Sequence, residues 1–441
     1  MKIIFILLLT FNSTFIINVL TTSCTYKDFF IEYFENTIVK NITQIKPNLY
    51  ILYEVNPSEG FNLRRDVYIR MAVFLKNLKT QDKFKSAKLV LPPFTKLFHW
   101  KSHDIQQDFI TWKHFFDLDS LSIFTDIIDY DDFLEEIGLT FEDPLTIDII
   151  FQLQHFKEMF ENGVFIDKFK IEACDKKNFN IKSVFNKWNC IERKFLCLKF
   201  QGTTKLLLKV INFAYKTIRT RPAIIMFLNA EIFLHEQWGS QKFWMARRSM
   251  RFNKNLVEEA DKFRLKNFNS TNNLDLVQRP HNWKDEIYYR GAKGGPYLCA
   301  HLRRGDFLNG RENLIPTLKS AAIQIKGKLK ELNYTKVFLS SDCTKEEFNN
   351  FRSYLNKIQV YKFQPEPHQL YKIKDGGVAI IDQIICSHAG YFLGTFESTF
   401  TYRIQEEREI LGFRKNLTFN TFCKNEDLSN CQRNAVWPIV Y

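Results

Sequence analysis

Tyr297-Leu298-Cys299-Ala300-His301-Leu302-Arg303-Arg304-Gly305-Asp306 begins as an apolar run of strand length and stops at two arginines, a glycine and an aspartate. Downstream the same grammar repeats: Lys336–Leu339 reads as a second strand, and Thr344 with Glu347 makes a capping box for a helix through Tyr354. Ile358–Phe363 is a third strand, Gly377–Ala389 a helix ended by Gly390, Tyr391–Leu393 a fourth strand, and Phe400–Leu411 a helix ended by Gly412. Repeated strand-helix units predict an α/β fold with a parallel sheet covered on both faces. Such sheets bind ligands at the carboxyl ends of their strands.

Upstream, Leu49–Val55 is another short apolar run, followed by Asn56-Pro57-Ser58-Glu59-Gly60-Phe61-Asn62 and then by Val67, Met71, Phe74 and Leu78 at helical spacing. Lys88–Leu91 resumes as a strand and stops at Pro92-Pro93. Between Trp112 and Phe200 no period can be assigned. Met245–Phe268 reads as one helix whose charged face carries Arg247, Arg251 and Glu258. The polar segment from Asn269 to Gly295 is the best candidate for a boundary, which divides the chain into 1–22, 23–275 and 276–441.

The bulk properties fit that plan. A chain of 441 residues can bury more than one core, and 45% hydrophobic with 25% charged residues is ordinary globular composition. The net charge of +13 is spread along the chain without a basic block, which argues against nucleic acid as a partner. Residues 1–22 have the layout of a signal peptide: Lys2, the apolar run Ile3–Leu9, then small residues after Leu20. A retained signal anchor is the alternative. No other stretch approaches ~18 uninterrupted apolar residues, so the mature chain is expected to have no membrane span. Sequons at Asn41, Asn269, Asn333 and Asn416, and cysteines without zinc-ligand spacing, agree with a luminal address. By spacing, Cys423 with Cys431, and Cys174 with Cys197 or Cys190, are candidate local pairs, and spacing alone leaves the connectivity open.

The loops at the strand ends carry the chemistry. Glu59 sits between Ser58 and Gly60 just before a helix, where a carboxylate can handle a proton beside exposed backbone N–H groups. Taken alone, a helix-capping role is the leading reading of Glu59. Arg303 and Arg304 put guanidinium forks where a diphosphate would lie, each bidentate contact contributing roughly 1.5–3 kcal/mol. Arg304 with Asp306 can equally be a structural pair. Arg304-Gly305-Asp306 is also an adhesion tripeptide, but the mouth of a buried strand is no exposed hairpin tip. Ser340-Ser341-Asp342 and Thr395–Phe400 supply further hydroxyls and helix-start N–H groups. Asp382 lies in an apolar helix, Ile380 to Ile385, and needs a partner there, whether a nucleotide amino group, a ribose hydroxyl or a nearby Lys or Arg. Asp117-Leu118-Asp119 and Asp129-Tyr130-Asp131 resemble metal-binding tripeptides, lack further ligands, and read as solvated surface.

Several of these stretches together resemble the GDP-fucose protein O-fucosyltransferases, and among them the enzymes acting on thrombospondin type 1 repeats. The resemblance rests on Asn56–Asp66, Leu91-Pro92-Pro93-Phe94 with His99-Trp100, Gly294–Tyr297 running into His301–Arg304, Asp375–Gln383, and Glu406–Gly412. It runs from about residue 48 to the C-terminus and is weakest from 120 to 230. It implies a GT-B fold, two Rossmann-like domains facing across a cleft, with no metal required. It also implies inverting transfer of fucose from GDP-β-L-fucose to Ser or Thr of a folded repeat. Carried over by position, Glu59 is the catalytic base; Ser58, Gly60, Phe61 and Asn62 line the donor with it. His301, Leu302 and Arg303 form the donor segment of the second domain, Asp382 contacts the nucleotide, and Thr399 and Phe400 are further donor contacts. Ser58 stands where the pattern has Pro, and Gly305 where it has Lys. The resemblance implies disulfides Cys174–Cys197 and Cys423–Cys431, and a place in the endoplasmic reticulum lumen or the Golgi. Two alternatives remain, the sister activity on EGF-like repeats and a noncatalytic luminal folding factor for cysteine-rich repeats. The chain ends Trp437-Pro438-Ile439-Val440-Tyr441, without the retention tetrapeptide that would favour the sister.

Overall fold

A computed structural model describes residues 47–179, 187–312, 315–424 and 437–441. The expected signal peptide, Asn41, Cys24 and Cys431 lie outside the described residues. Asn48–Tyr441 is a compact unit containing two main sheets. The first has seven strands in the order Ile127–Asp129, Lys88–Leu91, Leu49–Glu54, Ala223–Leu228, Ile149–Gln154, Phe195–Gln201 and Lys168–Ala173. All its pairings are parallel except the last, which is antiparallel. The second is wholly parallel, in the order Gln359–Tyr361, Lys336–Ser341, Gly295–Leu302 and Ala389–Gly394.

The structure extends the sequence reading where the chain showed no period. Ile149–Gln154 and Phe195–Gln201 are inner strands of the first sheet, buried along nearly their whole length. A strand covered on both faces carries no apolar-polar alternation to read. Met245–Phe268 is two helices, Gln241–Ser249 and Lys254–Phe268, with Asn253 capping the second through the N–H of Asn255. The break lets Phe252 bridge antiparallel to Phe116. Arg247, expected on a charged face, is fully buried. The helix expected over Gly377–Ala389 starts earlier, spanning Pro367–Ser387 with a break at Lys374 (φ 62°). Gly376 faces Phe115 so closely that a Cβ there would stand 2.5 Å from its ring, which is how this helix seats on the aromatic cluster of Phe61, Phe94, Trp100 and Phe115.

Buried charges fasten the elements of the two sheets together. Arg247 donates to Glu406 at 2.7 Å and to Glu407 at 3.0 Å, and Asp66 meets Arg403 at 3.5 Å and His235 at 3.0 Å. Removing one partner of such a pair strands a buried charge, so the helix Thr399–Ile410 is rigidly placed against Phe61–Leu78 and Gln241–Ser249. Disulfides join Cys174 to Cys197 and Cys299 to Cys386. The second pair did not follow from the sequence, because its members are 87 residues apart. Cys423 is disulfide-bonded as well, while Cys190 and Cys343 are free thiols.

The two acidic tripeptides differ from each other. Asp117 and Asp119 are exposed, as expected, with Asp117 capping a short helix through the N–H of Ser120. Asp129 is not solvated surface: it is fully buried and accepts the N–H groups of Trp112, Lys113 and Tyr130. Burial pushes its carboxyl up to about 6.

Candidate active site

The carboxyl ends of both sheets open on one cleft of about 650 Å³. On the first side the strand Leu49–Glu54 runs into a tight turn in which the N–H of Glu59 reaches the carbonyl of Asn56 at 2.9 Å. Arg64 holds this turn from the following helix. It donates to the carbonyls of Asn56 and Glu59 at 3.0 and 3.2 Å and to Glu54 Oε1 at 2.8 Å. The backbone of Glu59 is thus fixed while its side chain lines the cleft. The helix begins at Phe61 with Gly60 as its N-cap and no capping side chain, so Glu59 is not the helix cap that its position alone suggested. Gly60 admits the ring of His99, whose Cδ2 would stand 2.9 Å from a Cβ at that position. Burial, with Arg303 nearby, holds the His99 imidazole below its ordinary pKa.

On the second side the strand Gly295–Leu302 delivers His301 and Arg303. His301 is buried, meets Thr401 Oγ1 at 2.7 Å and stacks on Phe400 at 4.4 Å between centroids. Burial, then Arg303, pushes its imidazole down to about 3, so it is a neutral ring at neutral pH. Arg303 forms ion pairs with Asp306 and Asp342, and its N–H donates to Thr395 Oγ1 at 2.9 Å. Arg304 turns away to Glu347 at 2.8 Å, so it buttresses the loop through Glu347 and not through Asp306.

Asp382 accepts from Ser340 Oγ at 2.8 Å through one oxygen, while the other is buried without a partner among the described residues. Burial pushes its carboxyl up to about 7, against the opposing pull of the Ser340 hydrogen bond and the Lys362 charge. An orphaned acceptor on the cleft lining is what a ligand donor would satisfy. Ser398, Thr399 and Phe400 bring the first turn of the helix Thr399–Ile410 to the same cleft, adding helix-start N–H groups for an anion.

Of the residues singled out from the sequence, Ser58, Glu59, Gly60, Phe61, Asn62, His301, Arg303, Asp382, Thr399 and Phe400 line this one cleft. The side chain of Leu302 does not; it packs in the core of the second sheet, and its carbonyl accepts from Ser341 Oγ at 2.6 Å. Reading strand ends alone missed Lys362, whose ammonium donates to the Ser341 carbonyl at 2.9 Å beside the Asp382 site. A lysine just past a short strand was the available signal. Among the described residues no group of three or more His, Cys, Asp or Glu side chains is arranged to hold a metal ion.

Two α/β halves on mainly parallel sheets, meeting at a cleft with an arginine, a helix start and a carboxylate on its lining, are the architecture of a GT-B glycosyltransferase. A crystal structure of POFUT1 in complex with GDP shares the fold, with a TM-score of 0.52 over 83% of this chain and 96% of that one at 17% identity. The family model described as GDP-fucose protein O-fucosyltransferase matches residues 50–411, and the chain belongs to that family. Relatives named GDP-fucose protein O-fucosyltransferase 2 are 46% identical in Drosophila melanogaster, over 89% of this chain and 83% of the relative. The corresponding human protein is 38% identical over 89% of this chain and 90% of its own length. The protein is therefore a protein O-fucosyltransferase.

Proposed function

We propose that this enzyme moves fucose from GDP-β-L-fucose to Ser or Thr hydroxyls of folded thrombospondin type 1 repeats, with inversion at the anomeric carbon. The observation that carries the reading is Glu59: a carboxylate held on the cleft lining by its backbone and not used as a helix cap. In the transfer, Glu59 takes the proton of the acceptor hydroxyl, directly or through a water, as the new bond to the anomeric carbon forms. The bond to the β-phosphate oxygen breaks, and GDP departs with the charge. General-base action of this kind contributes roughly 10²–10⁴ in rate. The transition state is oxocarbenium-like, as in glycoside chemistry at large. Arg303 and the start of the helix Thr399–Ile410 stabilise the growing negative charge because their dipoles are fixed before the reaction. Asp382, with its free oxygen, takes a donor group of the nucleotide.

The reading assigns residues 23–275 to the acceptor side and 276–441 to the donor side. The choice of thrombospondin type 1 repeats is supported by identity to relatives carrying the suffix 2, at 46% and 38%, against 17% to POFUT1. An endoplasmic reticulum or Golgi location is supported by the buried Cys299–Cys386 disulfide and by the exposed sequon asparagines 269, 333 and 416. The test is incubation of the purified protein with GDP-fucose and separately folded thrombospondin and EGF-like repeats, read by mass. One added fucose on the thrombospondin repeat is expected; fucose on the EGF-like repeat alone overturns the acceptor assignment.

A further inference from the structure

Arg65 is fully buried in the helix Phe61–Leu78, yet among the described residues no carboxylate is in contact with it, Glu406 and Glu407 acting on its charge only from a distance. Its guanidinium lies within 5.1 to 5.9 Å of the ring centroids of Phe61, Phe116 and Phe252, and two of its nitrogens, Nε and Nη2, have no hydrogen-bond partner among the described residues. The third, Nη1, donates to Gln383 Oε1 at 2.6 Å and to Asn62 Oδ1 at 3.2 Å. Gln383 in turn donates through Nε2 to the same Asn62 oxygen at 2.7 Å.

The polarity of this triad is set by one member. A guanidinium has only donors, so the Gln383 atom facing it is oxygen, and the Gln383 NH₂ is thereby turned to Asn62. The Asn62 atom receiving both bonds is likewise oxygen. Ordinarily an amide orientation is a choice between two nearly equivalent shapes; here the arginine removes the choice. Asn62 lines the cleft, and with its oxygen saturated on the protein side its NH₂ is left for the cleft. Gln383 stands next to Asp382, on the helix Pro367–Ser387, so residues of both sheets' helices set the orientation of an amide in the turn after Glu59.

We propose that Arg65 and Gln383 are positioning residues for the transfer reaction, fixing the Asn62 amide with its NH₂ turned into the cleft as a donor to an oxygen of the nucleotide sugar. The inference rests on the reading of this cleft as the donor site. A guanidinium without a carboxylate is costly in a core, and a purely packing role would be met as well by an apolar side chain among three phenylalanines.

Binding of GDP-fucose to the full chain, measured by calorimetry without acceptor, tests it through a double-mutant cycle. Asn62→Ala removes the donor. Gln383→Glu still accepts from Arg65 but offers no N–H to Asn62, so the amide turns its NH₂ away from the cleft. Each is expected to weaken binding about tenfold, the loss of one hydrogen bond to a charged group, and the double variant about tenfold as well. Gln383→Met, carried through the same cycle without placing a charge in the core, leaves only the longer Arg65 bond on Asn62 Oδ1 and is expected to show a smaller loss, coupled in the same way. Wild-type affinity in both Gln383 variants with a loss in Asn62→Ala, or losses that multiply to about a hundredfold in the double variants, overturns the positioning role alone. Unchanged affinity in Asn62→Ala removes Asn62 from the donor site and overturns the reading beneath it.

Discussion

Asp342 holds Arg303 by an ion pair to Nη1, and its other carboxylate oxygen takes the backbone N–H of Arg304 at 2.7 Å. The arginine on the cleft is therefore already organised before any anion arrives, with Asp306 as a second, more exposed counter-charge. In the proposed donor site a diphosphate would meet a guanidinium whose direction is fixed and whose partners it must displace or share.

Arg303→Ala is expected to weaken GDP binding by about 10- to 100-fold, the range of a charge-assisted hydrogen bond to an anion. Arg303→Lys keeps the charge without the fork and should fall between. Calorimetry with GDP reads both, and unchanged affinity in the alanine variant removes the arginine from the diphosphate site.

Asp306→Asn should act in the opposite direction. Its carboxylate is about half exposed, so the pair it makes with Arg303 is screened and adds little to stability. Releasing the guanidinium from it is expected to strengthen GDP binding by roughly two- to fivefold, with the melting temperature unchanged.

Asp382 gives the nucleotide-free protein a pH dependence of known sign. Its folded-state carboxyl titrates near 7, above the unfolded value, because burial disfavours its charge. The folded protein therefore holds a proton that the unfolded chain has lost, and this contribution to stability declines as pH rises from about 4 to about 7. Asn cannot titrate. Asp382→Asn should gain on wild type by about 1–3 kcal/mol between pH 5 and pH 8, measured as unfolding free energy at each pH. An identical difference at both pH values contradicts the buried titration.

The Cys299–Cys386 disulfide joins the strand that leads to His301 and Arg303 to the helix that carries Asp382. Replacing both cysteines with alanine is expected to cost about 2–4 kcal/mol of stability. GDP affinity should fall as well, because the two sides of the proposed nucleotide site lose their shared tether. Thermal unfolding and calorimetry check the two parts separately.

What the sequence disclosed, and what it concealed, follows from how each residue is used. The turn from Asn56 to Asn62 was legible because a short apolar run, a turn signal and a helical period follow one another. The capping box at Thr344 and Glu347 is present in the structure as expected. Ile149–Gln154 and Phe195–Gln201 were hidden because strands buried on both faces have no alternation. Charged runs conceal their burial as well: Arg64, Arg65 and Asp66, and Glu406 through Glu409, are all buried. Arg408, for instance, donates to the carbonyls of Ser387 and Ala389 at 3.0 and 2.6 Å, closing the end of the helix Pro367–Ser387. Some of their partners lie far along the chain, where no local pattern reaches, among them His235 and Arg403 for Asp66, Arg247 for Glu406 and Glu407, and Arg290 for Glu409. Glu59 was visible as a carboxylate, but only the turn geometry separates it from a helix cap.

The most direct test of the account is the Glu59→Gln variant, assayed for fucose transfer to a folded thrombospondin type 1 repeat and, in parallel, for GDP binding. The account predicts GDP affinity close to wild type with transfer reduced at least about 10²-fold, the loss of a general base. Transfer near the wild-type rate in that variant contradicts it.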